Sequence, residues 1–244
     1  MALIDIDRIV PRLAVRKGIA WGTDAPTEDS DVLHICLPSG HFTDIRFPIS
    51  GKNGCGPLWT FAGHSTFRKI PALAPSDIAI HQGWYQIVRG QFAHPIDSTG
   101  NFVDDYHSDI VDLSSGNGDQ METGMLGNPD TGAFIHYKEY WTLKQAISYP
   151  CVRAVFEKEG DGHGLLKGQM IRVGETIQGV RQVKEKECEA GQWTLVKEDW
   201  QIDPRSVDTA AASFPHHWLS QERRVGDKIE HAGRQWRVVE AVSG

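Results

Sequence analysis

The chain lacks long apolar runs, paired-cysteine motifs and blocks of basic residues. No segment approaches the ~18 consecutive apolar residues of a membrane-spanning helix, so no membrane partner is expected. None of the four cysteines stands in a CxxC-type spacing, and the sequence therefore predicts no metal site. The first residues are acidic where a signal peptide would be basic, which favours a cytoplasmic protein with reduced cysteines.

Signatures of cofactor and nucleic-acid chemistry are also missing. The formal net charge is −7 and the charges are interspersed, so there is no basic stripe and no nucleic-acid partner is expected. The chain has no Gly-x-Ser-x-Gly nucleophile elbow and no phosphate-cradling glycine loop. We therefore predict a protein that works without a cofactor.

The sequence does contain many short apolar runs of period two, separated by glycine and proline. In one run Phe42, Asp44 and Arg46 share a face, and the residues between them occupy the other. Such runs predict the strands of a meander or barrel. Helical periodicity is scarce, and the best candidate, Asp208–Leu219, is interrupted by Pro215, so we expect one short helix or turn there.

A boundary is predicted near Ile147–Pro150. A strand pattern ends close to Leu143, and a fresh alternating run begins at Val152. The predicted domains are residues 1–147 and residues 148–244. Both are β-rich and long enough for a small barrel, and no internal repeat marks them as duplicates.

A family resemblance rests on an ordered set of motifs. These are Asp44–Pro48 (DIRFP), Trp59–Gly63 (WTFAG), Met121–Gly124 (METG), Tyr137–Trp141 (YKEYW), Val173–Gly179 (VGETIQG) and Gly233–Glu240 (GRQWRVVE). The chain resembles the HRI protein family, which is fungal with bacterial relatives, over most of its length. The resemblance implies an all-β fold of two tandem lipocalin-like (calycin-like) antiparallel β-barrels with little helix. It carries over no catalytic residues, because a fold alone does not define an activity.

The candidate active site lies in the first half. A small closed barrel has room for one small ligand, and ionisable side chains inside it tend to be paired or functional. We expect His64 or His94 to move a proton as general base or acid. Asp97 or Glu139 would orient or share that proton, and Arg46 would stabilise developing negative charge.

Four aromatic side chains and one acid are expected to line the cavity. These predicted ligand-binding residues are Trp59, Phe61, Glu122, Tyr137 and Trp141. The alternative interpretation of the ionisable residues is structural: Arg46 and Glu139 form an ion pair that closes the barrel, and the histidines lie at its rim.

Three functions remain open from the sequence. The favoured one is a cofactor-independent acid–base enzyme, an isomerase, cyclase, lyase or hydrolase, acting on a small, partly apolar organic molecule. The others are a non-catalytic carrier or sensor of such a molecule, and a protein-interaction module. A homodimer is one assembly consistent with the sequence.

Overall fold

The structure, a computed structural model, describes residues 11–50, 53–70, 87–100, 106–113, 118–128, 131–144, 149–159, 165–184 and 187–243. Within these ranges the chain forms two antiparallel sheets and two helices of four residues each. The predicted all-β fold with two barrel-like units and little helix is confirmed. The second unit is a strongly curled sheet that does not close.

The first sheet is a closed barrel of eight strands. Each strand pairs with the next in the sequence, and the last pairs with the first, so all ladder hydrogen bonds stay within the barrel. The strands are β1 (Arg12–Trp21), β2 (Ser30–Cys36), β3 (His41–Pro48), β4 (Trp59–Lys69), β5 (Ile87–Asp97), β6 (Tyr106–Asp112), β7 (Asp119–Gly127) and β8 (Phe134–Leu143).

Strand β3 shows how the barrel sorts its side chains. Phe42 belongs to the aromatic cluster that fills the barrel, whereas Ile45 and Phe47 pack outward on the second sheet. Both faces of the strand are buried, because one faces the barrel interior and the other faces the neighbouring sheet. The alternation expected from the sequence is therefore observed, with Asp44 and Arg46 on the inner side.

A β-bulge interrupts this regular alternation on β5. Along β4 the partners shift between Ala62 and His64, so that one β4 residue stands opposite two on β5. The extra residue changes the phase of β5 and turns both His94 and Asp97 inward, although side chains three apart on a regular strand face opposite ways. Gly63 is required at the bulge, because a Cβ there would lie 1.8 Å from the Ala93 carbonyl oxygen.

The second sheet has seven strands in the order β13-β12-β11-β10-β9-β15-β14. They are β9 (Cys151–Glu159), β10 (Leu165–Val173), β11 (Thr176–Lys184), β12 (Glu187–Val196), β13 (Asp199–Ile202), β14 (Lys228–His231) and β15 (Arg234–Val242). The helices α1 (Ala210–Ser213) and α2 (His216–Leu219) flank Pro215, in the segment where the sequence predicted one short helix or turn.

The helical segment fills the concave face of the second sheet. Phe214 and Leu219 pack with Trp193 and Trp236 in one core cluster, and all four side chains are at most 1% exposed. The Trp193 and Phe214 rings make an edge contact at a centroid distance of 5.8 Å. Tryptophan and helix side chains thus occupy the space that a ligand would need in this unit.

The two sheets pack against each other through the outer face of the barrel. Leu33 and Ile35 on β2 meet Ile171 and Val173 on β10 in a shared apolar cluster. Buried glutamines complete the junction: Gln178 donates to the Leu33 carbonyl (2.9 Å), and a second glutamine from β10 bonds a β3 carbonyl. These bonds tie second-sheet side chains directly to the barrel backbone.

The predicted boundary between residues 147 and 148 lies outside the described residues. The last barrel strand ends at Leu143 and the first strand of the second sheet begins at Cys151. No helix in the described ranges is long and apolar enough to cross a membrane.

Candidate functional site

The barrel interior holds an ionic cluster centred on Glu139. One carboxylate oxygen of Glu139 accepts hydrogen bonds from Arg16 (2.6 Å) and from Arg46 (3.2 Å). The three side chains come from β8, β1 and β3, and all are at most 8% exposed. The structure therefore brings the predicted Arg46 and Glu139 together, and it adds a second arginine that the sequence analysis did not single out.

Each arginine has another carboxylate partner. Arg16 makes two hydrogen bonds to Glu28, at 2.9 and 2.8 Å, which is the paired geometry that guanidinium and carboxylate groups favour. Arg46 donates through Nε to Asp44 at 2.9 Å. Its guanidinium also lies over the Trp59 ring, 4.4 Å from the centroid. Both cations are held from several sides and have little freedom to swing towards a ligand.

Asp44 links the cluster to a histidine. His34 Nδ1 lies 3.3 Å from the second Asp44 oxygen. Burial raises the pKa of Asp44, but Arg46 and His34 outweigh it and lower the pKa to about 2. Burial likewise lowers the pKa of His34, but the hydrogen bond and charge of Asp44, with a contribution from Cys36, raise it to about 9. At neutral pH the pair is therefore an ionised carboxylate beside an imidazolium.

Glu122 is the acid that the cluster leaves without a cation. It accepts a hydrogen bond from the Tyr137 hydroxyl, at 2.9 Å. Burial and the charge of Glu139 raise the pKa of Glu122 to about 7, while the Tyr137 hydrogen bond and His34 act in the opposite direction. With Glu122 protonated, the cations Arg16, Arg46 and His34 balance the three carboxylates of Glu28, Asp44 and Glu139.

The predicted His94 and Asp97 form a separate buried pair. Their Nδ1 and Oδ2 atoms are 3.6 Å apart. Asp97 also accepts hydrogen bonds from the Trp59 indole (3.1 Å) and from the backbone N–H of Thr99 (2.8 Å), which fixes it at the turn after β5. The His94 ring stacks on Phe61 at 4.3 Å, and the rings of Trp59 and Phe61 stand between this pair and Arg46.

His64 lies apart from both groups. It is half-buried on the outer face of β4, where its Nε2 atom is 3.0 Å from the Ser39 carbonyl oxygen. Its ring makes an edge contact with His41 at 4.8 Å. The structure therefore does not bring the five predicted catalytic residues together: Arg46 and Glu139 meet, His94 and Asp97 meet, and His64 faces outward.

A small cavity lies at the other end of the barrel interior from the Arg16–Glu28 pair. Its volume is about 50 Å³, and it is partly open. His34, Glu122 and Trp141 contribute to its lining, which is otherwise mostly apolar. The volume holds about three or four water molecules and is well below the ~300 Å³ at which pockets for drug-sized molecules begin.

The sequence analysis missed Arg16, His34 and Asp44. Each carries a detectable signal, because each is a charged or ionisable side chain on the same face as apolar residues of its strand. In β2, for example, Val32 and Cys36 share the inner face with His34. Burying an ionisable side chain costs free energy unless it is paired. An ionisable residue within an apolar face of a strand therefore indicates a buried partner.

No cluster of three or more potential metal ligands occurs among the described residues. Of the buried acids and histidines, Asp44 and Glu139 bind arginines, and His34 and His94 contact a carboxylate and an aromatic ring. Proton chemistry and hydrogen bonding are what the arrangement offers a ligand.

Fold and site together define a class of protein: a two-unit β protein whose closed first barrel contains a buried ionic cluster beside a small cavity. The chain belongs to the HRI1 family, since the family model described as Protein HRI1 matches residues 12–240. The resemblance seen in the ordered sequence motifs is thereby confirmed. Among curated proteins, none matches the chain with significant sequence similarity.

A solved structure shares the fold. The crystal structure of the uncharacterized protein YLR301w from Saccharomyces cerevisiae matches with a TM-score of 0.71 and 16% sequence identity. The match covers 96% of this chain and 100% of the yeast chain, so it includes both sheets.

Replacing Glu139 with glutamine is expected to destabilise the fold by about 3–5 kcal/mol, because Arg16 and Arg46 would then share a neutral partner. The same change is expected to lower the pKa of Glu122, since Glu139 is one cause of its elevation. Urea unfolding and carboxyl ¹³C NMR measure the two effects. Glu187→Gln is the control, because its ion pair with Lys184 is exposed and is expected to contribute little to stability. Equal losses in both variants would contradict a central role for Glu139.

His34 is expected to make stability depend on pH on the alkaline side. Its pKa is about 9 in the fold against 6.5 for the ordinary group, so its stabilisation is complete below pH 6.5 and is lost as the pH rises through 9. The loss is on the order of 3 kcal/mol at most. Unfolding curves between pH 6 and 10 measure it, and His34→Gln should flatten this part of the curve. The exposed His136→Gln serves as control, and an unchanged slope in His34→Gln would refute the assignment.

Proposed function

We propose that the protein binds a small organic molecule in the cavity of its first barrel, in contact with Glu122 and His34. The observation that supports this best is the placement of two ionisable side chains, with different electrostatic surroundings, in one mostly apolar cavity. Small-molecule sites generally combine an apolar lining with a few polar groups that fix the ligand's orientation. Only a few heavy atoms fit inside, so either the whole ligand is small or only one end of it enters the cavity.

The second sheet does not offer an equivalent site. Its concave face is filled by Trp193, Phe214, Leu219 and Trp236, which pack without leaving room for a guest. The binding function is therefore assigned to the barrel alone, and the second sheet supports it by covering the outer face of β2 and β3.

Acid–base catalysis at the same cavity is a second candidate, and Glu122 favours it. A carboxyl group with a pKa of about 7 can both accept and return a proton near neutral pH, and His34 beside it is cationic. In such a reaction Glu122 would take a proton from a carbon next to a carbonyl group, and His34 would stabilise the enolate oxygen. Glu122 and His34 thus take the roles that the sequence analysis gave to other residues.

Binding is tested by NMR titration of the ¹⁵N-labelled protein with phenol, benzamide, imidazole and butanone. We expect at least one probe to shift the Trp141 indole resonance and amides of the cavity strands, while the indoles of Trp193 and Trp236 stay in place. Filling the cavity with Ala14→Leu should abolish the shifts, and Ala211→Leu, on the exposed side of α1, should leave them unchanged. If none of the probes moves the Trp141 resonance of the wild-type protein, the binding proposal is wrong.

Catalysis is tested by exchange of the α-hydrogens of butanone in D₂O. The wild-type protein is expected to accelerate exchange, with a rate that rises as Glu122 ionises through about pH 7 and then falls as His34 loses its proton near pH 9. Glu122→Gln should reduce the rate by at least 100-fold, in line with the contribution of a positioned general base. If butanone binds but its hydrogens exchange no faster than in buffer alone, the catalytic proposal is wrong and the binding proposal stands.

A further inference from the structure

Arg12 is a cation at the cavity that has no carboxylate partner in the described part of the chain. It lines the cavity from the start of β1, where its guanidinium lies over the Phe67 ring at 5.2 Å from the centroid. Glu122 lies in the same lining and accepts a hydrogen bond from the Tyr137 hydroxyl (2.9 Å), and nearby Asp112 accepts one from Gln120 (2.7 Å). Neither acid makes an ion pair with Arg12. Arg12 therefore differs from Arg16 and Arg46, each of which is held by two carboxylates.

The groups that could donate hydrogen bonds into the cavity outnumber those that could accept them. Arg12 carries five N–H donors, His34 is protonated, and Glu122 is half-protonated near neutral pH. Trp141, in the same lining, has a buried indole N–H with no acceptor among the described residues. A guest that brings acceptor oxygens and a negative charge matches such a site.

We propose that the ligand of this cavity is a small monocarboxylate, whose carboxylate pairs with Arg12 while its apolar part enters between the rings of the lining. The inference rests on the proposed binding function. A guanidinium matches a carboxylate through two parallel hydrogen bonds. Phe67, which contacts Arg12, and Phe92 and Leu143 in the same lining are apolar and suit a short alkyl chain or a phenyl ring.

Charge also limits the ligand to a single negative group. One unpaired cation at the cavity is balanced by one carboxylate, and the arginines of the ionic cluster are already neutralised by acids. A phosphate dianion or a dicarboxylate would leave an uncompensated charge near Glu122. The chain as a whole carries a net charge of −7, which further disfavours multivalent anions.

The test compares carboxylates with their neutral amides. Butyrate, butyramide, benzoate and benzamide are titrated into the wild-type protein at pH 6.5, with the Trp141 indole resonance as readout. We expect each carboxylate to bind at least tenfold more tightly than its amide, and the difference to shrink as NaCl is raised from 20 to 500 mM, because salt screens the ion pair.

Arg12→Gln is expected to weaken carboxylate binding at least tenfold and to leave amide binding unchanged. Arg68→Gln, at an exposed position on β4, is the matched control and should behave as the wild-type protein. If the amides bind as tightly as the carboxylates, or if Arg12→Gln binds benzoate normally, the monocarboxylate assignment is wrong and the binding proposal stands. If none of the four compounds moves the Trp141 resonance, the monocarboxylate assignment is wrong, and the binding proposal fails with it when phenol, imidazole and butanone are also without effect.

Discussion

The shared carboxylate of Glu139 is the interaction on which the barrel interior depends. Two guanidinium groups, one from β1 and one from β3, converge on one oxygen, at 2.6 and 3.2 Å, in a region from which water is largely excluded. Removing charges from water costs several kcal/mol for each ion, so each of these side chains is stable inside only because the others are present. The network joins β1, β3 and β8, and in this way it also holds the barrel closed where its last strand meets its first.

This mutual dependence explains why Glu122 behaves differently from the other acids. Arg16 and Arg46 are satisfied by Glu28, Asp44 and Glu139, so the ionic cluster has no further cation for Glu122, and Arg12 in the same cavity lining makes no ion pair with Glu122 among the described residues. Burial and repulsion from Glu139 therefore keep Glu122 partly protonated near neutral pH. The partly protonated state of Glu122 is thus a consequence of how the charges of the ionic cluster are distributed.

Aromatic rings inside the barrel separate its buried polar groups from one another. Phe61 and Trp59 shield the His94–Asp97 pair from Arg46, and Phe42 stacks on His34 at 5.0 Å beside the small cavity. Because large rings fill most of the interior, the remaining space is small. The second sheet contributes from outside: its side chains bury the outer faces of β2 and β3, so these strands cannot easily separate to admit a larger guest.

The sequence by itself determined the β character of the chain and the shared face of Phe42, Asp44 and Arg46, and it offered an Arg46–Glu139 ion pair as one of two alternatives. These follow from period-two alternation and from the cost of burying an unpaired charge, which are local properties of a strand. Only the tertiary structure decided that His94 and Asp97 share a side, because the β5 bulge changes the phase of the alternation. Only the closure of the barrel decided that Arg16 and Glu139, 123 positions apart in the sequence, form a pair. Pairing between distant strands depends on register and closure, which no local pattern encodes, and for that reason the cavity at Glu122, His34 and Arg12 became visible only in three dimensions.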